Sequence, residues 1–79
     1  MVIKSPTLAY KVMSDIAALL NGKLFTLHNH QHVTYIAITT SAGECAYWSH
    51  DEDDCEIVII NNNRNVRQYL HNMRKRRNK

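Results

Sequence analysis

The spacing of the apolar runs constrains this chain most. Between residues 23 and 60, four stretches rich in β-branched and aromatic side chains follow one another with only a few polar residues between them. Neighbouring parallel strands need a crossover of a dozen or more residues, and none of these gaps is long enough. The spacing therefore predicts an antiparallel meander, with strands over residues 23–28, 33–40, 45–50 and 56–60. The polar break at Asn29-His30-Gln31, the turn Ser41-Ala42-Gly43-Glu44 and the charged turn Asp51 to Asp54 separate them.

Helix-period segments bracket the meander. Ser5-Pro6 reads as an N-cap followed by proline at the first helical position, where a missing N–H costs nothing. Leu8, Val12, Ile16, Leu19 and Leu20 recur at helical spacing, and Asn21-Gly22 supplies a stop, so a helix is expected over residues 6–20. Asn61-Asn62-Asn63 offers N-caps for a second helix over residues 63–76, in which Val66, Tyr69, Leu70 and Met73 fall at i, i+3, i+4 and i+7. The expected fold is α+β, in the order α-β-β-β-β-α, with both helices on one face of the sheet. At 79 residues the chain makes a single domain, 1–79, with a basic C-terminal helix and tail. Nineteen Leu, Ile, Val and Phe residues suffice for a core, but so small a core leaves little room for a deep substrate cleft.

Charge is unevenly placed. Residues 61–79 hold seven cations and no acid, whereas residues 1–60 hold three lysines against seven acids. A basic end of this kind seeks phosphate. On the second helix, at about 100° per residue, Arg64, Arg67, His71, Arg74 and Lys75 fall in one arc and the apolar set in another. Arginine suits phosphate because its planar fork gives bidentate contacts. Arg76, Arg77 and Lys79 continue the basic character into the tail. The bland alternative is a solvated helix face.

Strand alternation adds a second group. With Ile36 and Ile38 turned toward the helices, Tyr35 and Tyr47 share the other sheet face while Trp48 faces the core. Such a pair could stack nucleobases, make a cross-strand contact, or form part of a homodimer interface. The acidic turn Asp51-Glu52-Asp53-Asp54 reads as a solvated, edge-protecting loop or as a docking site for a basic partner.

Other constellations lack a ligand or catalytic set. His28, His30 and His32 alternate as a metal site would want, but the intervening residues point to a hairpin that separates them. If the acidic turn is centred between Glu52 and Asp53, Cys45 faces Ile60 and Cys55 faces His50, so the two thiols are not partners. His32-Val33-Thr34 occurs once, where small phosphoesterases carry such a signature twice. His71 with Arg74 and Tyr69 resembles small endoribonuclease toxins, but Tyr69 belongs to the buried stripe. No catalytic residue, metal or cofactor is expected.

The α-β-β-β-α part of the order resembles the double-stranded-RNA-binding fold, in which the last helix sets basic residues against phosphate. The strand at 56–60 departs from that pattern, and the family's loop motifs are missing. In size, in its eight asparagines and in its basic tail the chain also resembles accessory proteins of large lytic phages. That resemblance implies a protein that binds and disables a host factor. The residues themselves favour a non-catalytic binder of RNA or another nucleic acid. The alternative is an inhibitor of a host protein, such as an RNA-processing nuclease or a toxin, bridged by RNA. Met1-Val-Ile-Lys is too short for a signal-peptide apolar region and no apolar run approaches about 20 residues. The expectation is a cytoplasmic protein with reduced thiols and no membrane partner.

Overall fold

A computed structural model describes residues 2–29, 32–50, 55–61 and 63–77 of the chain. Its elements are α1 (Pro6–Leu20), β1 (Lys23–Asn29), β2 (His32–Thr40), β3 (Gly43–Ser49), β4 (Val58–Ile59) and α2 (Arg64–Arg77). The strands form one antiparallel sheet in the order β1-β2-β3-β4. The α+β meander expected from the short gaps is therefore the fold.

Local chemistry sets the first helix. The Ser5 side chain accepts from the Leu8 N–H at 3.3 Å, and Pro6 opens the first turn. Asn21 ends it in the left-handed conformation, at φ 54°, and donates its N–H to the carbonyls of Ala17 and Ala18. Gly22 follows because the chain passes close to β2. A Cβ there would lie 2.8 Å from Ile38 Cγ2 and 3.0 Å from the Thr39 carbonyl oxygen. The buried stripe of α1 is Ala9, Val12, Met13, Ile16 and Ala17. It packs on Ile36, Ile38, Ala46 and Trp48 from the inner sheet face, and Val66 of α2 joins the same core.

The β3–β4 register pairs Ala46 with Ile59 and Tyr47 with Val58. This is the register expected from the acidic turn. The Ile60 N–H donates to the Cys45 carbonyl at 2.7 Å, and no disulfide joins Cys45 to Cys55. The strands differ from expectation at their ends. The first two each gain one residue, at Asn29 and His32, and the third begins at Gly43, inside the expected turn, and ends at Ser49. The fourth is only Val58–Ile59, not 56–60, and the chain's first residues lie against the segment before it. Val2 bridges Glu56, and the Ile3 N–H donates to the Cys55 carbonyl at 2.9 Å.

The Trp48 indole completes this joint. Its Nε1–H points at the carbonyls of Ile3 and Cys55, at 2.9 and 3.0 Å. Cys55 holds its carbonyl there with φ at 47°, a region that few side chains other than glycine adopt. A fully buried indole needs such a partner. Trp48 thus ties the chain's first residues to the segment after the acidic turn. Among the described residues no helix is long and apolar enough to cross a membrane.

Candidate nucleic-acid interface

Helix α2 starts at a side-chain cap. The Asn63 Oδ1 accepts from the Val66 N–H at 2.8 Å, so of the three consecutive asparagines the last caps the helix. Val66 is fully buried, while Tyr69, Leu70 and Met73 are half-buried against the core. The rotation of the helix about its axis is fixed by one further contact. The Tyr69 hydroxyl donates to Asp15 Oδ2 of α1 at 2.7 Å. Lys11, one turn earlier on α1, lies 3.7 Å from the same oxygen.

With Tyr69 and Val66 turned inward, the opposite arc of α2 faces solvent. Arg64, Arg67, His71, Arg74 and Lys75 are all exposed there, as the helical spacing predicts. The first turn of α2 carries no acidic residue. Among the described residues no carboxylate pairs with any of these cations. Arg74 and Lys75 lie near the C-terminal end, where the helix dipole favours positive charge, while Arg64 sits at the N-terminal end, where it does not. Arg76 and Arg77 fall within α2, and Lys79 lies outside the described residues.

The tyrosines are on the other side of the sheet. Tyr35 and Tyr47 stack with ring centroids 6.2 Å apart and planes 18° from parallel. The Tyr35 hydroxyl donates to Glu44 Oε2 at 3.3 Å. Partial burial, reinforced by the Glu44 carboxylate and by Tyr47, raises the Tyr35 phenol above its usual pKa. The structure therefore brings the five α2 residues together and leaves Tyr35 and Tyr47 on a separate surface, with the sheet between. Glu44 was not recognised from sequence as part of that surface. The β-bulge between Ile38 and Thr39 leaves an extra residue on β3, which breaks simple alternation just there.

The remaining candidates are separated or undescribed. His28 sits on β1 and His32 on β2, on opposite arms of the hairpin, and His30 lies outside the described residues. Asp51, Glu52, Asp53 and Asp54, the expected docking turn, lie outside them as well. On α2, Tyr69 turns to Asp15 while His71 faces solvent, so they do not share a site. Among the described residues no group of three or more metal-ligating side chains converges. A shallow depression of ≈ 440 Å³ is lined by Asn21, Lys23, Thr39, Thr40 and Ser41, with Lys23 as its one titratable group. No family model, curated protein or solved structure matches the chain.

Proposed function

We propose that this is a non-catalytic nucleic-acid-binding protein that holds the phosphates of an RNA strand along α2. The observation that carries the reading is the solvent-facing arc of Arg64, Arg67, His71, Arg74 and Lys75, unpaired with any described acid. From Arg64 to Lys75 the arc extends about 16 Å at about 1.5 Å per residue, the length of two or three nucleotides. The arginine forks give bidentate contacts to phosphate, and the tail beyond adds further charge. Two cysteines not joined by a disulfide fit a reducing compartment, so the proposed location is the cytoplasm.

The reading predicts a salt-dependent affinity. If α2 and its tail neutralise about four phosphates of a single strand, log affinity should fall against log salt with a slope of about −3. Fluorescence anisotropy with a labelled single-stranded RNA between about 50 and about 200 mM salt measures this slope. Replacing Arg67 and Arg74 with Gln keeps good helix formers and should flatten the slope by about one to one and a half. An unchanged slope in the double variant would remove α2 from the interface. The alternative, an inhibitor of a host protein, predicts little RNA affinity at physiological salt and a protein contact that survives ribonuclease.

A further inference from the structure

The outer face of the sheet is built like an interior. One row crosses all four strands as Phe25, Ala37, Tyr47 and Val58, successive partners in the ladder. A second row runs Leu27, Tyr35 and Ser49. Phe25 is 56% exposed, Leu27 50% and Val58 37%. Three large apolar side chains exposed on one sheet face, around an Ala37 that is itself buried, are a surface that another molecule could cover. At the end of the face nearest the β2–β3 turn the row is charged. Lys23, Thr39 and Glu44 follow one another across β1, β2 and β3.

We propose that this face is the interface of a symmetric homodimer, two copies packing sheet to sheet about a two-fold axis parallel to β2. The charges select the occupant and the axis. A two-fold along β2 exchanges β1 with β3 across the interface and leaves each row opposite its own copy. Lys23 of one copy then meets Glu44 of the other, twice per dimer. Phe25 meets Tyr47, a pairing that aromatic rings favour in offset geometry. Ala37, in the middle of the row and on the axis, is already buried within its own chain, so the side chains beside it, Phe25 and Tyr47, make the contact. Strand directions remain aligned, which is the common packing of two sheets about 10 Å apart.

The size fits a reversible dimer. With the axis on β2, the strands β1, β2 and β3 overlap their counterparts over about 14 by about 23 Å, or about 330 Å² in plan, while the two-residue β4 lies outside the overlap. With side-chain relief, two copies together bury somewhat under about 1,000 Å², the size of a weak, transient contact. Nucleobases suit the face less well. Phe25, Leu27 and Val58 offer no hydrogen bonds. A strand laid across the row would also bring its phosphates to Glu44, which already holds the Tyr35 hydroxyl. The inference is independent of the α2 reading, since the two surfaces lie on opposite sides of the sheet.

Sedimentation equilibrium of the whole chain, from micromolar to millimolar concentration, tests it. The mass should rise from the 9.2 kDa monomer toward twice that value. Phe25→Thr retains strand propensity and should weaken the dimer by at least about tenfold, with an unchanged melting profile of the monomer confirming the fold. Lys23→Glu and Glu44→Lys should each weaken it by about tenfold or more, because each sets like charges opposite one another. The double swap should restore it. A monomer at every concentration would overturn the proposal, as would a dimer indifferent to Phe25→Thr or a double swap without recovery. A monomer whose Tyr35 and Tyr47 fluorescence is quenched by single-stranded RNA would assign the face to nucleobases instead, which also overturns it.

Discussion

The two helices are nearly equal in length, 15 residues in α1 and 14 in α2, and they spend those residues in opposite ways. Helix α1 buries five side chains across the sheet: Ala9, Val12, Met13, Ile16 and Ala17. Among its described side chains, helix α2 fully buries Val66 alone and rests Tyr69, Leu70 and Met73 partly on the core, with a hydroxyl anchored to Asp15. One helix is the floor of the core. The other is held at its margin with its cations outward. A helix without local acids to neutralise its charge gains little from its own sequence, so tertiary contact must keep it in place. That division sets a deeply packed helix against one whose described cations stay outward.

Cutting into each helix should break the comparison if it is false. Ile16→Ala empties a fully buried site and should cost about 2–5 kcal/mol in urea denaturation. For a chain of this size that lowers Tm by about 10 °C or more. Leu70→Ala, at a half-buried position, should cost about half as much, about 1–2 kcal/mol. Equal losses at the two positions would show that α2 is as deeply built in as α1.

Tyr69→Phe should cost about 1–2 kcal/mol, since it removes a bond to an ionised acceptor that is only partly buried. The same variant should lose salt-dependent RNA affinity more than its stability loss explains, because α2 would no longer be held in one rotation. Replacing Arg67 and Arg74 together with Gln should leave the melting profile within about 0.5 kcal/mol per site, as expected of exposed positions without partners. A large destabilisation there would mean that those arginines serve the fold rather than a ligand.

Much of this architecture was legible because it is specified locally. Ser5-Pro6 and Asn21-Gly22 delimit α1 within one turn on either side, and the structure keeps those limits. The register of β3 with β4 followed from the length of the acidic turn, and the Tyr35–Tyr47 pair from alternation. The basic arc on α2 followed from helical periodicity alone. What escaped was non-local. The Trp48 indole meets Ile3, 45 residues away, and Tyr69 meets Asp15, 54 residues away. No short-range pattern encodes such pairs. The bridge from Val2 to Glu56, which joins the far end of the chain to the segment before β4, escaped for the same reason. On the open face, Glu44 was assigned to the turn, whereas β3 begins at Gly43 and the bulge between Ile38 and Thr39 sets Glu44 opposite Thr39, within reach of Tyr35.

The central claim is that α2, and not the open sheet face, receives nucleic acid. Amide chemical shifts of the isotope-labelled protein, followed during titration with a short single-stranded RNA at low salt, test it residue by residue. Binding along α2 predicts saturable shifts concentrated from Arg64 to Lys75, with Phe25, Tyr35 and Tyr47 unmoved. Shifts confined to Phe25, Tyr35 and Tyr47, or no shifts at all at about 50 mM salt, where the electrostatic attraction is strong, would contradict it.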